Sequence, residues 1–257
     1  MSRKKITYRP YVRRAALVDF IERQGRASVN ALALRFLTSP ETIRRDLNVL
    51  TNEGQLQKIH GGAVRMPVAK EGPLNDRLKF NMLAKQLAAE KLGDVVFPGD
   101  SLFIDTGSTT LIAATVLARI KNLTVITNAT RIADVFARAD QGAEVVLLGG
   151  TYNAENAQTV GPVTCGEIGR YCTDHAILTI GTLNETGAFD YSQDEALIAR
   201  AMMTAAKRVI VVADSSKLGK TSTFQVCPLE RIDMLVLDKP PPQGMQAALQ
   251  AASVAVK

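Results

Sequence analysis

At 257 residues, 46% hydrophobic and 22% charged, the chain has room for one sizeable folded domain and a small one. No apolar run approaches the ~20 residues of a membrane span, nothing near Met1 reads as a signal peptide, and two histidines leave little from which to build a metal centre or a Ser–His–Asp triad. The net charge of +6 is unevenly placed, since residues 1–66 hold thirteen Lys and Arg against five acids and residues 67–257 hold eighteen against twenty, so a polyanion-seeking head precedes a near-neutral body.

After a basic leader (Arg3, Lys4, Lys5, Arg9), Ala16, Leu17, Phe20 and Ile21 recur at helical spacing, and Gly25 closes the helix. Ser28 is placed to cap a second helix carrying Leu32, Ala33 and Phe36 toward the same core. The stretch "SPETIRRDLNVLTNEG" predicts a third. Ser39 suits the N-cap, Pro40 the first helical position and Glu41 the positive helix end, and Gly54 ends the run. Ile43, Leu47 and Leu50 form one apolar stripe, which leaves Thr42, Arg44, Arg45 and Asn48 off the core face. "QLQKIHGGAV" then alternates briefly and ends in Gly61 and Gly62, the pattern of a small β-wing. Three short helices with a four-residue turn, Leu37 to Pro40, predict a winged helix-turn-helix over 1–66 whose third helix enters the major groove of double-stranded DNA. A plain three-helix bundle with a solvated arginine face is the alternative, and the clustered charge, the arginine pair and the wing speak against it.

"MPVAKEGPLNDR", Met66 to Arg77, reads as a hinge, with a linker over 67–80. From 81 to 257, apolar runs at 101–105, 123–127, 144–148, 176–180, 208–213 and 233–237 are separated in several places by helical stretches such as 109–118, 130–139, 194–206 and 243–251. That alternation predicts an α/β domain with a parallel sheet covered on both faces. No internal repeat or low-complexity segment is present. In such sheets ligands sit beyond the carboxyl ends of the strands. There the sequence places "IDTGSTT" (Ile104 to Thr110), Thr127-Asn128, Gly149-Gly150, Gly181-Thr182 and Asp214-Ser215-Ser216-Lys217. Hydroxyls, glycines, an amide and a lysine at strand ends suit a phosphate group, although neither a Walker A loop nor a G-x-G-x-x-G fingerprint occurs. No cofactor or metal is implied. Cys165, Cys172 and Cys227, odd in number and in no ligand spacing, read as buried reduced thiols of a cytoplasmic protein.

These stretches resemble the DeoR family of bacterial transcriptional repressors. "SPETIRRDLNVLTNEGQLQKIHGGAV" matches the family's helix-turn-helix signature nearly position by position, and "VITNATRIADVF", "VVLLGGTYN", "GAFDYSQDEALIARAMM" and "VVADSSKLGK" match its effector domain, which is similar to ribose-5-phosphate isomerase. "FDY" and "DKPPP" look nearest to the glycerol-3-phosphate-regulon repressor branch. The resemblance implies operator DNA binding through Ser39, Glu41, Thr42, Arg44, Arg45, Lys58, His60, Gly61 and Gly62. It implies a phosphorylated sugar or polyol effector held by Asp105, Gly107, Ser108, Thr109 and Thr110, with Asn128, Gly150, Asp190 and Lys217 nearby, in a homo-oligomer, dimer or tetramer. A sugar-phosphate isomerase with an attached DNA-binding domain is the competing reading. Against it, "IGTLNETGAFDYSQDE" lacks the D-G-A-D-E and K-G-G-G elements of the isomerases, and Ser192 to Glu195 fits a capping box at a helix start. Asp190 suits either a ligand hydroxyl or a turn.

Overall fold

The computed structural model describes residues 10–52, 56–59, 61–65 and 72–257. The chain divides into two compact units, 1–69 and 70–257. The first contains helices α1 (Pro10–Gln24), α2 (Val29–Arg35) and α3 (Pro40–Asn52) and strands β1 (Arg26–Ser28), β2 (Leu56–Ile59) and β3 (Gly62–Arg65). Gly25 turns the chain at φ +77° after α1, and Ser28 caps α2 by accepting from the Ala31 amide. Gly54, read as the end of the third helix, lies outside the described residues. The wing is larger than the sequence predicts, because residues 26–28 pair antiparallel with β3 and make a three-stranded sheet in the order β1-β3-β2. Leu17, Ile21, Leu32, Ile43, Leu47, Leu50 and Leu56 close one core beneath the helices.

The second unit begins with α4 (Leu74–Lys79) and α5 (Met82–Gly93). Here the expected linker needs correction. Within the expected linker 67–80, residues 74–79 form a helix packed on the second unit, with Leu74 buried and Arg77 and Asn75 bonded to Asn156 and Arg131. The expected hinge residues 66–71 lie outside the described residues. Then follow β4 (Ser101–Ile104), α6 (Ser108–Leu117), β5 (Thr124–Thr127), α7 (Thr130–Arg138), β6 (Glu144–Leu147), the hairpin β7 (Thr151–Asn153) and β8 (Gln158–Val160), and α8 (Pro162–Ile168). The chain continues through β9 (Thr173–Leu178), β10 (Thr182–Asn184), β11 (Gly187–Asp190), α9 (Gln193–Thr204), β12 (Ala206–Ala213), β13 (Phe224–Cys227), β14 (Met234–Leu237), α10 (Gln243–Ala251) and β15 (Ala255–Val256).

Seven parallel strands in the order β15-β14-β12-β9-β4-β5-β6 form the main sheet. Alternate side chains separate to its two faces. Leu102, Ile104, Ile177, Ile210 and Val212 pack with α5, α6 and α7, whereas Phe103, Ala176, Leu178, Val209 and Val211 pack with α9 and α10. The sequence leads from β4 outward through β5 and β6, then returns to β9 on β4's other side and proceeds outward again. The order therefore reverses between β4 and β9, which opens a crevice at the carboxyl ends of those two strands.

The observed strands lie within a residue or two of the expected ones, except that β9 begins at Thr173, three residues early. The hairpin β7–β8 and the antiparallel sheet β10-β11-β13 are additions to the expected pattern. The cysteines also need correction. Cys227 is buried, with its thiol pushed up to about 11 chiefly by burial, but Cys165 is half-buried and Cys172 is exposed in the loop before β9.

Candidate functional site

On the first unit, α3 has an exposed outer face and is held from below. Ser39 Oγ accepts from the Thr42 amide at 3.2 Å and lies 2.9 Å from the Thr42 hydroxyl, so both residues secure the helix start. Ile43, Leu47 and Leu50 are buried, and Asp46 points inward with them, receiving Arg13 Nε at 2.6 Å. The outward face carries Arg44 and Arg45, whose side chains are 58% and 80% exposed. Both lean on the Glu41 carboxylate, at 3.3 and 3.8 Å. Exposed pairs of this kind contribute roughly 0–1 kcal/mol, so exchanging Glu41 for an external acceptor costs little. On the wing, Lys58 donates to Asn48 Oδ1 at 2.8 Å and ties β2 to α3. Gly61 is exposed at φ +77° in the hairpin turn. Gly62 departs from the predicted surface set. It is buried, and a Cβ there would fall 2.3 Å from the Ala27 carbonyl oxygen, so its glycine serves the β1–β3 contact. His60 lies outside the described residues.

In the second unit, a cleft of about 370 Å³ opens at the crevice between β4 and β9. Its walls are Ser108 from the start of α6, Gly181 and Tyr191 from the loops beyond β9 and β11, and Asp214, Ser216, Lys217 and Lys220 from beyond β12. The remaining wall is Asp76, Arg77, Phe80 and Lys85 from α4, α5 and their junction. Lys85 is buried, and its ammonium donates to Ser108 Oγ at 2.9 Å and to the Arg77 carbonyl at 2.5 Å. A full positive charge thus stands beside the amino-terminal turn of α6, where outward N–H groups already favour an anion. Lys217 rides on a short turn pinned from two sides. Asp214 accepts from the Ser216 amide at 3.1 Å, and Asp238 accepts from the Ser215 amide at 2.6 Å. A Cβ on Gly181 would fall 2.8 Å from the Tyr191 ring, so glycine lets that ring lie against the backbone. Four cations face two carboxylates, which suits a small anionic ligand.

The predicted effector residues divide. Ser108 and Lys217 line the cleft. Asp105 lies behind it, where both carboxylate oxygens accept from the Thr179 amide at 3.0 Å and clamp the end of β4 to the end of β9. Burial, and secondarily the carboxylates of Asp190 and Glu195, pull the Asp105 carboxyl well above its ordinary range, against the opposing pull of the Thr179 N–H. Gly107 makes room for Thr179, whose methyl would sit 2.2 Å from a Cβ there, and Thr110 bonds back to the Gly107 carbonyl. Thr109 is buried. Asn128 donates to the Thr159 carbonyl and Gln158 Oε1, so it anchors the β7–β8 hairpin. Gly150 stands at φ +141° against Thr164, where a Cβ would meet Oγ1 at 2.0 Å. Asp190 accepts from the Tyr191 and Ser192 amides and holds a turn. Ser192 caps α9 by accepting from the Glu195 amide, while the Glu195 carboxylate turns aside to Asn156 and Gln158.

Sequence reasoning missed Asp76, Arg77, Phe80, Lys85, Tyr191 and Lys220 as cleft residues. A lysine on a helix otherwise facing the core, as Lys85 is among Ala88, Ala89 and Leu92, was the available signal.

Among the described residues no helix is long and apolar enough to cross a membrane, and no group of three His, Cys, Asp or Glu is placed to hold a metal. Residues 13–67 match the family described as DeoR-like helix-turn-helix domain, and residues 81–239 match the DeoR C terminal sensor domain. The chain is 29% identical over 240 residues to the glycerol-3-phosphate regulon repressor of Escherichia coli K12, covering 92% of this chain and 94% of that one. It is 30% identical over 233 residues to the HTH-type transcriptional repressor GlcR of Bacillus subtilis 168, covering 90% of each. Ribose 5 phosphate isomerase A from Neisseria gonorrhoeae overlaps 54% of this chain and 53% of its own, at 21% identity and a TM-score of 0.39.

Proposed function

The chain belongs to the DeoR family of transcriptional regulators, and from that premise we propose that it represses a carbohydrate or polyol catabolic operon under the control of a phosphorylated sugar or polyol bound in the second unit. The observation that carries this reading is the presence in one chain of an exposed basic third helix and a cationic cleft at the switch point of a parallel sheet. Arg44 and Arg45 have the reach and the planar donor geometry to read guanine edges in the major groove of operator DNA. Ser39, Thr42 and Lys58 are placed for phosphates, and Glu41 releases the arginines as the helix docks. The protein acts as a homo-oligomer, because major-groove readers of this kind bind paired half-sites. In the cleft, Lys217 and the first turn of α6 receive the phosphate, while Phe80 and Tyr191 offer apolar surface to the carbon skeleton. The name of the E. coli relative directs the ligand search first to phosphorylated polyols.

The isomerase reading is weaker because its carboxylates are engaged otherwise. Asp105, Asp190 and Glu195 each accept from N–H donors that fix loops or a hairpin, which leaves a scaffold rather than an acid–base pair aimed at a substrate.

The test is to select bound fragments from genomic DNA with the full-length protein and challenge the complexes with phosphorylated sugars and polyols. Lys217→Ala should lower affinity for the active ligand about tenfold, the loss of one charge-assisted hydrogen bond, while leaving ligand-free DNA binding intact. A sugar phosphate that the protein interconverts, with turnover lost in Glu195→Gln, would overturn the regulator-only reading.

A further inference from the structure

The cations of the cleft come from two parts of the second unit. Lys217 and Lys220 follow β12, whereas Arg77 and Lys85 belong to the stretch 74–85, which in sequence comes soon after the DNA-reading unit. That stretch is hydrogen-bonded to two helices, α6 and α7, and to two loops. Arg131 donates to Asn75 at 2.8 Å, Arg77 to Asn156 at 2.9 Å, Asn81 to Asp214 at 3.1 Å and Lys85 to Ser108 at 2.9 Å. The Arg77 contact continues inward. Asn156 donates to Glu195, Glu195 also accepts from Gln158, and Gln158 accepts from Asn128 at the end of β5. Asn81 sets the bend between α4 and α5 at φ +51°, a left-handed conformation that asparagine adopts more readily than most residues.

We propose that Arg77 and Lys85 are direct ligands of the anion held in the cleft, so that its binding orders the stretch 74–85. The inference rests on the reading of this cleft as a phosphate site. Asp76 and Asp214 offset part of the charge of the four cations around the cleft, and a dianion seated among those cations adds bonds to elements on opposite walls. Contacts to Lys217 alone would leave α4 and α5 as they were. Contacts to Arg77 and Lys85 as well tie α4 and α5 to the turn after β12, and the ligand then favours one arrangement of this stretch by the difference in its affinity for the two. The stretch nearest in sequence to the DNA-reading unit thereby becomes the part that senses occupancy.

The experiment uses full-length protein with two probes, inorganic phosphate and glycerol 3-phosphate, followed by calorimetry and by amide hydrogen exchange. Binding of either probe should slow exchange across residues 74–85. Arg77→Ala should weaken binding about tenfold and abolish the slowing, and Arg77→Lys should restore part of both. Arg77 is the better position to vary because Lys85 is buried and its loss perturbs the core. If a probe binds and is lost in Lys217→Ala, yet Arg77→Ala changes affinity less than twofold and exchange over 74–85 is unaltered, the inference is overturned and the phosphate reading stands. If neither probe binds the wild-type protein at millimolar concentration, both are overturned.

Discussion

The two units put their buried cations to opposite uses. In the helix-turn-helix unit the buried charges are scaffold, since Arg13 and Asp46 meet at 2.6 Å with side chains 10% and 9% exposed, and the cations suited to a ligand stand in solvent. In the α/β unit the buried cation Lys85 faces the cleft itself, while ion pairs such as Lys207–Asp174 and Arg138–Asp134 decorate the outside. The difference follows the shape of the anion each unit is suited to. A duplex is a long line of charge that cannot enter a protein, so it must be met by mobile, solvated arginines whose attraction depends on salt. A phosphate monoester is small enough to be surrounded, so it suits a cleft where a desolvated cation and helix N–H groups can be set at fixed distances and salt screens little.

If buried charge in the first unit is scaffold, its removal should cost the most stability and spare the second unit. Asp46→Ala leaves Arg13 in the interior without its partner and should destabilise the first unit by about 3 kcal/mol, the low end for breaking a buried pair. Scanning calorimetry of the full chain should show one transition lowered and the other unmoved. A shared shift of both would break the comparison.

The exposed cations should show the reverse pattern, with function lost and stability kept. Arg44→Ala or Arg45→Ala should cost about 1–3 kcal/mol in binding to selected DNA, with relaxed sequence preference and unchanged melting. Lys58→Ala should instead weaken binding evenly across sequences and reduce the slope of affinity against salt by about one. Titrations at several salt concentrations separate the two behaviours.

The smallest effect concerns the turn that sets α3 against α2. Leu37 sits there at φ +49° with 61% of its surface exposed, a left-handed conformation that a branched side chain resists and no packing repays. Leu37→Gly should stabilise the first unit by about 0.5–1 kcal/mol, the strain relieved minus glycine's added chain entropy, as read from urea midpoints.

Local chemistry made much of this protein legible in one dimension. The N-cap at Ser39, the stripe Ile43-Leu47-Leu50, the glycine turn at Gly61 and the alternation of apolar runs with helices each depend on neighbours within a few residues, and each matches the structure. So does the identity of two cleft residues, Ser108 and Lys217, which stand at strand ends where such sheets bind ligands. Tertiary structure alone decided the rest. Which strand ends meet depends on the strand order, and the reversal between β4 and β9 brings Asp105 against the Thr179 amide, which it clamps. An amide and a glycine read alike whether they face a ligand or a hairpin, so only the fold shows Asn128 bonded to the β7–β8 hairpin and Gly150 set against Thr164. Lys85 and Arg77 went unread for the converse reason. Arg77 lies in a stretch that reads as linker and Lys85 in one that carries no marked motif, and only the folding of 74–85 across the sheet's carboxyl edge brings their charges to the cleft.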